Sequence, residues 1–459
     1  MEKMKTICVL GSSYSWTRTL VNDLLAVFKE PLDIRFIDIN AEAAEICAKW
    51  GEAASISYGR ADVYGAYTVR KAALTGADAV LITLSTGGLD AMANDIAIPE
   101  KYGIFATVGD TAGPGGWSRS IRNIPVFMDF ADDFNAYCPN AFIANYTNPM
   151  SALTATLQKQ CQNPLSGFCH AYFGTLDIIQ HMFGLPDWGP ISVEIAGMNH
   201  FTWVTNFTVN GEDGYPALRK KIGAGSIRDL LPKKSSDEIG FHTGHSLFGD
   251  LYDAFGYLAY PADRHISEFL PFTLSGFPER FIKSDSVRSY DTIKRNEIIR
   301  TPIEHRRDNA VRAREHMVED TKKHAGANGL TPPKSRETGS EMIYAHLYNK
   351  TIMDAVNTLN IGQMPGFPAD ACVETLGVVD GFGVRPVAVK TIPDILFEIM
   401  RPQAVCQGFI VNGMLNKDKD MLYNALYCDP QCASMNYRDI KRMADELFAA
   451  NKPFLRDMF

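Results

Sequence analysis

Residues 5–39 constrain the fold more tightly than any other stretch. KTICVLG (5–11) is a short β-branched run that closes on Gly11. SSYSWTRTLVNDLLAVFK follows, with Leu20, Leu24, Leu25 and Val27 in a helical rhythm, and IRFIDI (34–39) is a second strand carrying Asp38. Strand, glycine turn, helix, strand and acid is the order of a mononucleotide-binding unit. A pyrophosphate sits at the helix N-terminus there, and the acid accepts from a ribose hydroxyl. Gly11, Ser12, Ser13 and Asp38 are therefore candidate cofactor contacts. A full fingerprint has three glycines, whereas two serines follow Gly11, so a plain βαβ unit without a nucleotide fits the same residues.

The pattern continues through the first 190 residues. ADAVLITL (77–84) is a continuous apolar run of the kind buried in parallel sheets, and it ends at Ser85-Thr86-Gly87-Gly88. Gly87 and Gly88 either let the backbone approach a cofactor or simply form a tight turn. GDTAGPGGWSRSIRNIP (109–125) is a loop running into a helix, with Asp110, Arg119 and Arg122 as its charged residues. The two arginines share a helical face, and a solvated face is their default reading. AFIANYTNP (141–149) is a further strand that delivers Asn145 and Asn148.

After His200 the texture changes: FTWVTNFTV (201–209) alternates like an antiparallel strand. The segment 297–324 reads as a charged, solvated helix, Ser335 as an N-cap with Arg336 and Glu337 in the first turn after it, and 439–455 as an amphipathic terminal helix. The expected fold is α/β. Residues 1–190 form a Rossmann-like doubly wound domain, and 191–459 an α+β domain packed against it, as in lactate and malate dehydrogenases.

Composition narrows the partners. The net charge of −8 argues against a phosphate backbone, and no apolar run reaches the length of a membrane span. The nine cysteines are odd in number and scattered, as in a reduced cytoplasmic protein.

The chemistry concentrates between residues 145 and 203. Three polar clusters, Asn145-Tyr146-Thr147-Asn148-Pro149, Gly167-Phe168-Cys169-His170 and Gly197-Met198-Asn199-His200, each follow an apolar segment. Polar residues ending a series of strands are where an open α/β sheet places its site. Cys169 and His200 can both ligate a borderline divalent metal, although each is also a common structural residue. Two protein ligands would leave coordination positions open for substrate oxygens. The block YPADRHISEFLPF (260–272) adds Tyr260, Asp263, Arg264, His265 and Glu268 among aromatics.

Taken in order, this set resembles glycoside hydrolase family 4, the NAD- and divalent-metal-dependent glycosidases. The matching elements are the glycine turn with Asp38, Gly87-Gly88, the Asp110…Gly113-Pro114-Gly115-Gly116 loop and the three clusters above, then Ser335-Arg336-Glu337 and Cys372-Val373-Glu374. The dinucleotide turn departs from the family's usual Gly-x-Gly-Ser-like sequence. The resemblance implies hydrolysis of a sugar substrate by NAD-dependent oxidation at C3, removal of the C2 proton, elimination of the aglycone, addition of water and re-reduction. By matching, Cys169 and His200 would hold the metal, with manganese expected although another divalent ion fits, and Asn148 would hold a sugar hydroxyl.

Asp263 is the expected base with Tyr260 as fallback, and His170 is placed with the catalytic positions. Asp110, Arg119, Arg264 and Arg336 are the other expected substrate contacts. Cys169-His170 followed by Phe173-Gly174-Thr175-Leu176, together with Asp263-Arg264-His265, looks most like the α-glucuronidase and α-galacturonidase branch. Arg264 would then pair bidentately with a substrate carboxylate. The alternatives are an α-galactosidase or α-glucosidase of the same family or, outside it, an NAD-dependent dehydrogenase of lactate or malate type. A homo-oligomer, dimer or tetramer, is expected as well.

Overall fold

Apolar, β-branched runs supply the strands of one continuous sheet in the computed structural model, which describes residues 4–232, 245–274, 281–283, 298–456 and 458–459. The first six strands are β1 (Lys5–Leu10), β2 (Leu32–Ile37), β3 (Val63–Tyr67), β4 (Ala79–Ile82), β5 (Phe142–Asn145) and β6 (Leu165–Gly167). Then come β7 (Ile191–Met198), β8 (Phe201–Val209) and β9 (Glu212–Asp213), a separate pair β10 (Phe281–Lys283) and β11 (Ile298–Arg300), and finally β12 (Ile352–Leu359), β13 (Cys372–Asp380) and β14 (Gly383–Pro386). The sheet order is β3-β2-β1-β4-β5-β6-β12-β13-β7-β8-β9, with β14 beside β13.

Within β3-β2-β1-β4-β5-β6 all pairings are parallel, and from β6 to β12 onward they are antiparallel. The parallel half has the strand order of a dinucleotide-binding fold. The chain is thus mixed α/β with a Rossmann-like sheet, and the sheet runs unbroken past residue 190 into the antiparallel half.

The C-terminal ends of the parallel strands meet over a turn that only glycine allows. Gly11 has φ +93°, and a Cβ there would lie 2.2 Å from the Thr83 carbonyl oxygen. The helix Tyr14–Val27 starts beyond it and buries Leu20, Leu24 and Leu25, as the periodicity requires. Asp38 follows directly after β2.

Three sequence expectations give way to packing. Arg122, on the helix Gly113–Tyr137, is not on a solvated face: Nη1 and Nη2 donate to the two Asp95 oxygens at 2.7 and 2.6 Å, and both side chains have no exposed surface. Such a pair is tolerated because each charge is fully hydrogen-bonded; removing one partner would strand the other. The charged helix Ile303–Ala325 is not merely solvated either. One stripe docks on the helix Ala41–Ser57, with Met317 against Cys47, Asp320 accepting from Trp50 Nε1 at 3.0 Å, and His324 Nδ1 2.7 Å from Ser57 Oγ. Finally, Ser335 caps no helix. Its Oγ donates to Asp23 on the helix Tyr14–Val27 at 2.5 Å, and the next helix starts at Gly339 behind Thr338. A buried carboxylate is a stronger acceptor to satisfy than a helix terminus open to water, so the loop 332–337 is drawn across to the first helix.

Candidate active site

The β7–β8 hairpin presents His200. Met198 pairs with Phe201, so Asn199 and His200 are the two turn residues, and His200 takes the left-handed φ of 66° that such turns demand. Gly197 makes the close approach possible, since a Cβ there would lie 2.1 Å from the Phe201 carbonyl oxygen. Asn199 is anchored from both ends: its N–H donates to Ser151 Oγ at 3.3 Å and its amide to Glu374 Oε2 at 3.2 Å. Glu374 also accepts from Asn357, and burial pushes its carboxyl up to about 7.

A second loop brings Asp110. Glu268 Oε1 accepts from the N–H groups of Val108 and Gly109 at 2.6 and 2.8 Å and from Thr107 Oγ1 at 3.0 Å, which fixes the loop's shape. Burial, and then the neighbouring Asp110, pushes Glu268 up to about 7. Burial acts on Asp110 in the same direction, but the Arg119 guanidinium outweighs it and holds Asp110 at about 2. Thr111 Oγ1 donates to Asp110 Oδ1 at 2.7 Å and lies 3.0 Å from His200 Nδ1. With its only proton committed, Thr111 must accept from His200, so Nδ1 carries a hydrogen and Nε2 is the nitrogen left to face a ligand.

Asp110, His200 and His265 bring one donor atom each to within 4.8 Å of one another. The His200 and His265 rings are 4.0 Å apart between centroids. His265 is held well below the ordinary histidine range by burial and by His200, so it is a neutral ligand-type imidazole. Carboxylate oxygen with neutral imidazole nitrogen suits a divalent cation of hard to borderline character.

Of the expected metal pair, His200 belongs to this group and Cys169 stands beside it. Cys169 Sγ lies 3.7 Å from Tyr260 Oη, and the Tyr260 ring centroid is 5.5 Å from that of His200. Burial pushes the Cys169 thiol up to about 11. Tyr260 is 2% exposed.

Two expected roles meet a different geometry. Both Asp263 oxygens accept from backbone N–H groups at the start of the helix Ser246–Phe255, Leu247 at 2.9 Å and Phe248 at 3.0 Å. This holds the carboxylate as a helix anchor, a poor arrangement for a base. Arg264 has no exposed surface, and its Nη2 donates to the Thr107 carbonyl at 3.4 Å, so the expected bidentate contact with a substrate is not offered. The reason is local: the Asp263–Ile266 turn faces inward, against the 107–110 loop.

On the cofactor side, Ser12 N–H donates to Asp38 Oδ2 at 2.6 Å, and Asn40 N–H to Oδ1 at 2.8 Å. Ser13 Oγ is 3.3 Å from Thr83 Oγ1, and Gly87 and Gly88 open the helix Gly88–Glu100. Asn148 accepts at its carbonyl from Arg119 Nε at 3.0 Å, which ties the Asn145–Pro149 turn to the arginine. His170 precedes the helix Ala171–Phe183, and its Nδ1 lies 2.6 Å from Glu337 Oε1. Arg336 pairs with Asp177 and lies over the Trp188 ring.

Sequence reasoning left His265, Glu268 and Glu337 without roles. The single imidazole of the 260–272 block was the signal for His265. Nothing local marks Glu337 as the partner of His170, 167 residues away.

With this geometry in place the comparisons can be read. A model of the family 4 glycosyl hydrolases matches residues 5–185, and the model of that family's C-terminal domain matches 195–432. The chain belongs to glycoside hydrolase family 4. This family 4 chain is an α-glycosidase by its relatives, among them an α-galacturonidase of Thermoanaerobacter italicus that is 29% identical over 99% of this chain and 98% of its own. The crystal structure of Bacillus subtilis lplD superposes with a TM-score of 0.83 at 27% identity, covering 97% of this chain and 99% of that one. A 6-phospho-α-glucosidase from gut microorganisms, solved with NAD and Mn2+, has a TM-score of 0.78 at 18% identity over 98% and 99% of the two chains. Among the described residues no helix is long and apolar enough to cross a membrane.

Proposed function

We propose that this family 4 enzyme hydrolyses α-linked uronides, using NAD and a divalent cation, manganese first. The observation that carries the substrate reading is a surplus of guanidinium charge at the site. Arg119 acts on Asp110, Arg264 on His265, and Arg306 on Asp110, Glu268 and His265, while Arg300 is paired with Glu100. Three of these guanidinium groups, Arg119, Arg264 and Arg306, surround the site, against the carboxylates of Asp110 and of a Glu268 held at about 7. In a water-poor site that excess favours an anionic sugar over a neutral one, through field strength rather than a single bidentate contact. The α-galacturonidase relative supports the same reading.

NAD when bound supplies the hydride acceptor that makes C2 acidic, and a divalent cation supplies Lewis-acid stabilisation of the charge that then develops. Gly11, Ser12, Ser13, Asp38, Gly87 and Gly88 are the residues that would hold the first. The donor group Asp110, His200 and His265, with Cys169 adjacent, would hold the second. Tyr260, rather than Asp263, takes the C2 proton: its hydroxyl is 3.7 Å from Cys169 Sγ and its ring centroid 5.5 Å from that of His200, while the Asp263 oxygens accept from Leu247 and Phe248. His170 gives a proton to the departing oxygen, with Nδ1 turned to Glu337 so that Nε2 faces away from it. Asn148 and Arg119 position sugar hydroxyls.

The test is a panel of aryl α-glycosides, uronic and neutral, assayed with NAD, manganese and a thiol reductant. Aglycone release from the uronides, without net NADH, is expected. A preference for neutral hexosides would overturn the substrate reading, and NADH accumulation without aglycone release would point to a dehydrogenase.

A further inference from the structure

A cleft of about 350 Å³ is lined by Ser15, Trp16, Thr19, His170, Arg336 and Glu337. Its lining joins His170, the residue after Cys169, to Ser15, Trp16 and Thr19 of the helix Tyr14–Val27. Its volume is at the small end of ligand sites, room for about one ring.

One wall is aromatic and in view of solvent. Trp16 is 42% exposed, on the first turn of a helix whose Leu20, Leu24 and Leu25 are buried. It is backed by Tyr146, ring centroids 6.2 Å apart, and Tyr146 Oη accepts from Gly339 N–H at 3.0 Å. The rest of the lining is polar: His170 with Glu337, and Arg336, which pairs with Asp177. The segment 335–337 is tied to the helix that carries Trp16, because Asp23 on it accepts from Ser335 N–H and Oγ at 2.6 and 2.5 Å.

An exposed indole sharing a cleft with hydroxyl, carboxylate and imidazole groups is the chemistry that holds a pyranose, whose C–H face packs on the aromatic ring while its rim of hydroxyls needs polar partners. We infer that this cleft is a leaving-group subsite for a second sugar ring, with Trp16 as its platform, so that the enzyme is built for sugar-linked rather than simple alkyl or aryl glycosides. The inference rests on the glycosidase reading proposed above. It adds the class of aglycone and a specificity residue, and it places the departing oxygen between the donor group and His170.

The experiment compares two substrates with the same glycosyl unit: the α-glycosyl fluoride, which has no leaving-group ring, and the α-linked disaccharide. In Trp16→Ala the ratio of kcat/KM for disaccharide over fluoride is expected to fall on the order of tenfold, and in Trp16→Phe to recover most of the loss, since a phenyl ring keeps the platform. NAD affinity is measured by titration in the same variants. An unchanged ratio, or an equal loss on both substrates accompanied by weaker NAD binding, overturns the subsite and makes Trp16 part of the cofactor wall. If the uronide pair is not turned over by the unmodified enzyme, the uronide reading falls, and the ratio is read with the galactosyl pair instead. The two failures are thus distinct.

Discussion

Replacing Glu337 by glutamine isolates one charge at the site. The carboxylate is 2.6 Å from His170 Nδ1, and its side chain is 7% exposed against 31% for the imidazole, so solvent screens the pair from the histidine side only. Glutamine keeps the shape and removes the charge, converting a charge-assisted hydrogen bond into a neutral one. Hydrogen bonds to charged groups contribute about 1.5–3 kcal/mol, of which a neutral bond would retain about a third to a half. The loss of about 1–2 kcal/mol falls on the imidazolium form, the form that donates to the leaving oxygen. At 1.36 kcal/mol per factor of ten, this corresponds to about a 5- to 30-fold fall in kcat/KM wherever protonation of the leaving group matters.

The assay is kcat/KM across aryl α-galacturonides whose phenols span weak to strong acids. Poor leaving groups should show the full loss. Good ones, which depart without a proton, should show almost none, so the dependence on leaving-group acidity steepens. A uniform loss across the series would mean that Glu337 only holds the loop 332–337 in place, and no loss at all would remove His170 from the acid role.

Three further expectations follow from the same geometry. Asp263→Asn leaves an acceptor for only one of Leu247 and Phe248 N–H, so thermal unfolding should show about 0.5–2 kcal/mol of lost stability with catalysis largely retained, whereas Tyr260→Phe should abolish turnover in a folded protein; the reverse pattern would restore Asp263 as the base. His265→Asn should weaken manganese binding by about 10- to 100-fold, read by electron paramagnetic resonance of the free ion, and an unchanged affinity would take His265 out of the donor group. Glu374 is 1% exposed with its folded value raised to about 7 from 4.5, so it favours the folded state below about 4.5, and that contribution is lost as pH rises through about 7. The loss is about 3 kcal/mol, and urea unfolding at pH 5 and pH 8 should show a smaller pH dependence in Glu374→Gln than in the unmodified protein.

Local pattern was enough to read the parallel half of the sheet, because each βαβ step is a property of contiguous residues. The apolar run at 77–84, the leucines of the first helix and the glycine at 11 each report burial or backbone geometry within a few residues of themselves. Arg122 and the helix Ile303–Ala325 could not be read in this way. A charged residue carries no mark of whether its partner, Asp95 in the one case and the Ala41–Ser57 helix in the other, waits elsewhere in the fold.

The site divides along the same line. Sequence alone placed Cys169, His170 and His200 at strand ends, where the sheet turns its polar residues outward, and the order of motifs pointed to the family. Only the tertiary structure grouped His200 with Asp110 and His265, committed the oxygens of Asp263 to a helix terminus, buried Arg264 and set Glu337 against His170. The physical reason is range. Strand and helix periodicities are set by neighbours in the chain, whereas a donor group needs separations of a few ångströms between residues that the chain supplies from distant segments, and folding alone brings those segments together.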